Sequence, residues 1–468
     1  MSTAMNLGSL DCLLHEYRQR VYTKHHSSNP MSRFASIRTS SAGSYLGLYF
    51  SSCITTAIFL SIMTWHILSE SVYNEIFLQN YSTHIYIVFV WVCLGWMMCL
   101  IAAIGFDLLP LIHGSAPFHE NALRQFSITN LAGQVFLTIS TFMPTSQRIE
   151  EFSTVGIAFL ALSVLSLGGP GRRLYLESKR AGKEDEVGVF SLVPGLILPL
   201  LGMTVLACWL WRDVAGLLEL GHSVIVMVFL LLTLVIIISH FNRRLNWNII
   251  NPEKIKNRAT LFFILMALHV LFAFLAGRDD GGSAPLLMQM KYSTLGLSIL
   301  GAFLLCNPLK VAKKALFGEK MAHNRLIFAA LWMLPFCSFH AFNGSAYSEQ
   351  PGIPGYNTLV ATSILLALWG YSLYLHEDHL HINIHKRKSN MPFLLCFLVG
   401  FLAMQMFYLK VWFEFGTTTN EEIIYVFSTG ICSVLTISNF LRQTLLSFNT
   451  WHRIPMFYGR YIQIESTE

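Results

Sequence analysis

Apolar runs recur along most of the chain, and they constrain its fold more than any other feature. Between residues 44 and 448 the sequence repeats stretches of roughly 20 apolar residues, each long enough to cross a bilayer as a helix. Only 12% of the 468 residues are charged, about half the fraction found in an ordinary soluble domain. Because a backbone inside lipid must satisfy its own hydrogen bonds, these runs predict an all-α integral membrane protein.

The apolar runs number about twelve, and they divide the chain into three parts. We expect a polar N-terminal tail over 1–43, a transmembrane domain over 44–448 and a polar C-terminal tail over 449–468. The expected spans are 44–68, 83–112, 125–145, 152–168, 189–210, 217–240, 258–277, 293–308, 323–342, 356–375, 392–413 and 422–446.

The basic residues predict the orientation, because short cytoplasmic loops are enriched in Lys and Arg. The loops after spans 4, 6, 8 and 10 are basic, whereas the intervening loops, such as GRDDGGSAP, are acidic or neutral. We therefore expect both termini in the cytoplasm and the protein in a bacterial inner membrane. This asymmetry explains the net charge of +6, so the charge does not indicate a nucleic-acid partner. The N-terminal tail shows no secretory signal pattern.

Several familiar signatures are missing from the sequence. It has no P-loop, no GxSxG elbow and no Rossmann fingerprint, which argues against the enzyme classes that these motifs identify. The nine cysteines are scattered, mostly inside spans, without a CxxC pair. They are interpreted as small core residues rather than as disulfides or a zinc site. The two halves show no strong repeat, which weakens a transporter built by duplication.

Ionisable residues inside spans are costly and usually mark a functional site. His84 and His222 open spans 2 and 6 at the outer face, and His269 lies roughly two turns inside span 7. Asp279 and Asp280 follow the outer end of span 7. Since imidazole suits haem iron and copper and carboxylates complete such ligand sets, these residues predict a cofactor site in the outer half of the bundle.

Each of these residues also has a simpler interpretation. A histidine at a helix end is typical of an interfacial side chain, which is the preferred interpretation for His66 and His340. Asp279 and Asp280 are alternatively solvated residues of a Gly-rich loop. A histidine-rich segment after span 10 has spacing that suits transient metal binding, but it is more typical of a solvated basic segment. Its histidines are His376, His379, His381 and His385.

Three features resemble subunit I of the haem–copper oxidases. GFDLLPLIHGSAPFHENALRQFS (105–127) resembles the end of helix II and the turn into helix III of that family. Thr83-His84 occupies the place of the low-spin haem ligand, and Gly221-His222 resembles the start of the copper site in the cbb-type branch. Twelve spans with both termini inside also agree. The resemblance implies a subunit I-like bundle with a haem on His84.

The departures from that family concern its metal ligands. The cbb-type helix VII ends in Ala-Gly-Pro-His-His, where this chain has Ala276-Gly277-Arg278-Asp279-Asp280, so carboxylates replace both imidazoles. The family's helix X ligands are also missing, since Gly355-Tyr356-Asn357-Thr358 fills that position. The resemblance therefore implies one metal ion, copper or iron, near His222, Asp279 and Asp280, rather than a dinuclear haem–copper centre.

Three functions remain open from the sequence. The first is a haem- or metal-binding relative of the oxidases, or of the nitric oxide reductases, that acts in respiratory or nitric-oxide-related metabolism without full oxygen reduction. The second is a functional oxidoreductase of either type, and the third is a cofactor-free transporter or complex subunit. The expected partners are the lipid bilayer and other respiratory-complex subunits. The NnrS family is a further resemblance, although its Gly-His-Thr-Gly-Arg segment is absent here.

Overall fold

A computed structural model of the chain gives the architecture. All regular structure in the described residues is helical and contains no strand, which confirms the all-α class for this part of the chain. The described residues are 58, 86–87, 89–99, 102, 120–140, 146–180, 196–227, 252–278, 284–306, 308–309, 322–343, 359–364, 366–367, 370, 438 and 442.

Eight α-helices and two π-helical segments are defined within these residues. In chain order they are π1 (Trp91–Met97), α1 (Glu120–Ser140), α2 (Ser146–Ser166), α3 (Gly168–Arg180), α4 (Leu198–Leu210), α5 (Leu217–Val224), α6 (Pro252–Arg278), α7 (Ala284–Leu305), α8 (Ala322–Phe342) and π2 (Leu359–Ile364).

Three helical stretches in the described residues are long and apolar enough to cross a membrane: Glu150–Glu177, Asn257–Arg278 and Arg325–Phe342. Shorter apolar helices cover Leu198–Leu210 and Leu217–Met227. These stretches coincide with runs that the sequence predicts to be membrane spans, and they agree with an integral membrane protein.

The structure differs from the sequence prediction at two helix boundaries. The eighth span, expected over 293–308, begins at Ala284, because Gln289 and Lys291 interrupt the apolar run without ending the helix. Four of the basic residues expected in the loop after span 4, Arg172, Arg173, Lys179 and Arg180, instead lie on α3. Pro170 sits in the first turn of α3, where its missing N–H removes no helical hydrogen bond.

The helices pack as successive neighbours. Helix α1 packs on α2, α4 packs on both α2 and α5, and α5 packs on α6. The series continues from α6 through α7 and α8 to π2. Four described positions expected to be buried core cysteines, Cys93, Cys99, Cys208 and Cys306, are buried and not joined in disulfides.

A buried polar network joins π1 to α1 and α2. The Asn130 side-chain amide donates to the Leu94 carbonyl of π1 at 2.8 Å and to Ser163 Oγ of α2 at 3.2 Å. Gln134 Nε2 donates to Asn130 Oδ1 at 2.7 Å, and Cys99 Sγ donates to the same oxygen at 3.0 Å. Because lipid offers no hydrogen-bonding alternative, such bonds hold neighbouring helices together.

Candidate functional site

The candidate site lies at α5, and its first contact is made at a glycine of this helix, Gly221. A Cβ atom on Gly221 would lie 2.5 Å from the Tyr86 ring, so only a glycine lets this ring pack against α5. The Tyr86 hydroxyl donates to the Val205 carbonyl of α4 at 2.7 Å. Tyr86 lies two residues after His84 in the sequence. Tyr86 is therefore anchored against α5 and against α4.

His222 is buried in the same place, with 3% of its surface exposed. Its ring meets the Tyr86 ring edge-on, with centroids 5.1 Å apart, and the Phe89 ring edge-on at 5.5 Å. Two aromatic rings from the segment before π1 thus pack around the imidazole. His222 lies inside the bundle, in direct contact with Tyr86 and Phe89.

A second glycine contact brings the end of α6 to the start of α5. Gly216 adopts a φ of +83°, which an L side chain rarely adopts, and its Cβ would lie 2.6 Å from the Phe274 carbonyl. A Cβ on Gly277 would lie 2.7 Å from the Gly216 Cα. The residue pair Gly277-Arg278, which precedes Asp279 in the sequence, is therefore packed against the turn that leads into α5.

An ion pair between α5 and α7 lies beside His222. Lys291 Nζ donates to Glu219 Oε2 at 2.7 Å. The lysine side chain is only 2% exposed, whereas the glutamate side chain is 32% exposed. A charge buried in a membrane bundle is expensive unless it is paired, so the glutamate is what makes the buried ammonium tolerable.

His269 of α6 completes the group, and it is fully buried. Its Nδ1 lies 2.9 Å from the Lys291 carbonyl oxygen. Because a carbonyl only accepts hydrogen bonds, Nδ1 carries the hydrogen, and Nε2 carries the lone pair of the neutral ring. Glu219 lies within electrostatic range of both His222 and His269. We call Glu219, His222, His269 and Lys291 the ionisable cluster.

The structure describes only some of the residues that the sequence predicts to bind cofactors. His222 and His269 belong to the ionisable cluster. His84, Asp279 and Asp280 lie outside the described residues, as do His66 and the histidines between 376 and 385. His340, interpreted from the sequence as interfacial, is 2% exposed and lies inside the bundle.

The described part of the chain contains no group of three or more His, Cys, Asp or Glu side chains placed to hold a metal ion. The ionisable cluster itself is therefore not a preformed metal site, although it contains two imidazoles and a carboxylate. Among the described residues, His222 is the member of the expected ligand set whose position is defined. Any metal site there depends on ligands from outside these residues.

Sequence reasoning missed Glu219 and Lys291. Each is a charged residue inside an apolar stretch, Glu219 in LLELGHSV and Lys291 in LLMQMKYSTLGLS. That pattern is the usual signal of a functional or paired charge within a membrane span. A span starting at residue 293 assigns Lys291 to a loop, whereas Glu219 lies in the first turn of the span expected over 217–240 and could have been found from this pattern.

A scan of the sequence against protein-family models found no matching family, and a search of curated proteins found no matching relative. The resemblance to oxidase subunit I therefore rests on the motifs quoted above.

Proposed function

We propose that this protein is an integral membrane relative of haem–copper oxidase subunit I that holds a single haem or metal ion and does not reduce oxygen. One observation supports the proposal most directly: two described residues that are close in sequence to His84 and Asp279 both pack against the segment 216–221, at the turn into α5 and on α5 itself. Tyr86, two residues after His84, packs on Gly221, and Gly277, two residues before Asp279, packs on Gly216. His222 follows Gly221 and packs against Tyr86.

The ligand types that His222, Asp279 and Asp280 offer suit one metal ion better than a dinuclear centre. His222 supplies one buried imidazole, and Asp279 and Asp280 are the nearest acidic residues in sequence to the Gly277 contact. Carboxylates are harder ligands than imidazoles and favour iron or manganese over cuprous copper. A haem would be held by His84, and such a group would supply electron-transfer chemistry in respiratory or nitric-oxide-related metabolism.

Metal analysis of purified variants tests this assignment. If the cofactor is a metal ion rather than a haem on His84, we expect one ion per chain in the wild type and its loss in His222→Ala and in the double variant Asp279→Asn/Asp280→Asn, since each removes a donor. His340→Ala is the matched control, because it removes another buried histidine on a different helix. Full metal retention in His222→Ala, or equal loss in His340→Ala, would contradict the assignment.

The full topology is part of the same proposal. We propose twelve membrane spans with both termini in the cytoplasm of a bacterium, and other respiratory subunits as partners. Reporter fusions after Lys183, Lys256 and Lys388 should report the cytoplasm, because basic loops stay inside. Fusions after Gly281 and Ser348 should report the outside. A single basic loop found outside would contradict the helix count.

A transporter or complex subunit without a cofactor is the second candidate. The observation that favours it is the Glu219–Lys291 pair, since paired charges within a membrane bundle commonly mark the path of a substrate or ion. The two candidates differ in a measurable way, because the second predicts neither haem nor stoichiometric metal in the purified protein.

A further inference from the structure

Helix α3 extends beyond the length that a membrane span needs. Most of it belongs to the helical stretch Glu150–Glu177, whose 28 residues measure about 42 Å at a rise of 1.5 Å per residue, whereas a bilayer core is about 30 Å thick. Counted from Phe152, the first apolar residue after two acidic residues, roughly 20 residues cross this core and end at Gly171. The residues that follow, 172–180, therefore lie at the level of the lipid headgroups.

The two faces of α3 differ in burial. Gly171 and Leu174 are buried, as is Leu167 directly before the helix, and their spacing places them on one side. Leu176 is 42% exposed and lies on the opposite side. The exposed side also carries four basic residues, one turn before and one turn after Leu176: Arg172, Arg173, Lys179 and Arg180. Basic residues around an exposed apolar side chain are typical of a helix that binds a membrane surface.

The exposed side of α3 has an excess of positive charge. Glu177 is the one acidic residue in the sequence of α3, and its carboxylate pairs with the Arg173 guanidinium at 2.7 Å. With four basic residues and one acidic residue, α3 has a net charge of +3. The next acidic residues, at 184–186, come after the end of this helix. The complementary partner is therefore an anion at the depth of the headgroups.

We propose that the exposed side of α3 is a docking surface for anionic phospholipid headgroups. We call Arg172, Arg173, Leu176, Lys179 and Arg180 the basic face. Its cationic groups bind lipid phosphates, and Leu176 contacts the upper part of the acyl chains. The surface requires negative charge in the lipid, so it goes beyond general contact with a bilayer, and it does not depend on the cofactor proposed above.

Charge also favours lipid over a second copy of the chain as the occupant. In a symmetric contact the basic face of one copy would meet the same basic face of the other, and like charges placed opposite each other repel. Anionic headgroups, in contrast, attract basic segments, and the attraction of one Lys or Arg corresponds to about a fivefold change in affinity.

Competition between two lipids with identical acyl chains tests the proposal. The purified full-length protein, in micelles of an uncharged detergent, receives equal amounts of dioleoyl phosphatidylglycerol and dioleoyl phosphatidylcholine. Native mass spectrometry then counts each lipid retained per chain. We expect the wild type to prefer phosphatidylglycerol, and about 1 M salt to reduce this preference because it screens exposed charges. Replacing all four basic residues of the basic face with glutamine should lower the preference about fivefold or more.

Two further variants separate charge from structure. The triple variant Arg172→Lys/Arg173→Lys/Arg180→Lys keeps every positive charge, so it should keep the wild-type preference. Glu177→Gln removes the negative charge beside Arg173 and should raise the preference for phosphatidylglycerol about fivefold. A purely structural role of the Arg173–Glu177 pair gives no such increase.

Three results overturn the proposal. The first is a preference for phosphatidylglycerol that is absent from the wild type or equal in the glutamine variant. The second is a preference that Glu177→Gln leaves unchanged or lowers. The third is a wild-type dimer that the glutamine variant converts to a monomer, which would assign the basic face to a second copy. If the glutamine variant does not fold, the comparison of wild type with Glu177→Gln still decides the matter.

Discussion

Replacing Glu219 with glutamine should destabilise the protein by about 3–5 kcal/mol, the usual effect of removing one partner from a buried ion pair. The reason is that the Lys291 ammonium, 2% exposed and 2.7 Å from the carboxylate in the wild type, is left without its counter-ion. The free energy of unfolding in detergent micelles, from denaturant titrations of purified wild type and variant, measures this loss.

Two further variants show whether the loss comes from the buried charge. The double variant Glu219→Gln/Lys291→Met removes both charges and should recover most of the stability, because a neutral pair leaves no unpaired ion. Glu177→Gln breaks the exposed pair with Arg173, which should cost only about 0.5 kcal/mol or less. A Glu219→Gln variant as stable as Glu177→Gln would contradict the burial of Lys291.

Gly216→Ala should lower stability by about 2–5 kcal/mol. About 1–2 kcal/mol arises from placing an L side chain at a left-handed φ of +83°, and about 1–3 kcal/mol arises from overpacking against the Phe274 carbonyl. The clash involves backbone on both sides, so neighbouring side chains cannot relieve it. Thermal unfolding followed by circular dichroism measures the change.

Gly169→Ala is the control for this second prediction. Nothing lies within 4 Å of a Cβ at that position in α3, and alanine favours a helix over glycine by about 0.5–1 kcal/mol. We expect this variant to match the wild type or to exceed it slightly. Equal stability of the Gly216 and Gly169 variants would show that α5 does not approach α6 as the structure places it.

The helical class was predictable because it depends on local features of the chain. Apolar runs of roughly 20 residues demand helices in lipid, whichever neighbours they acquire. The three long apolar helices within the described residues coincide with expected spans. The π-helical geometry of Trp91–Met97 was not predictable, because it accompanies hydrogen bonds from another helix, including that of Asn130 to the Leu94 carbonyl.

The site was predictable only in part, because it depends on which helices are neighbours. The Gly221-His222 pair suggested a site at the start of span 6, and the structure gives both residues specific contacts there. The pairing of Glu219 with Lys291 needs α5 beside α7, and it needs α7 to begin well before residue 291. The pattern of apolar residues predicts neither that α5 lies beside α7 nor where α7 begins. The cofactor roles of His84, Asp279 and Asp280 stay predictions.

The central claim is that this bundle holds one cofactor and lacks a haem–copper centre. A reduced-minus-oxidised visible spectrum of the purified protein, combined with haem and metal quantification per chain, tests it most directly. We predict either one haem band that disappears in His84→Ala or one metal ion without haem bands, and no second haem in either case. Two haems with stoichiometric copper, or neither haem nor metal, would contradict the claim.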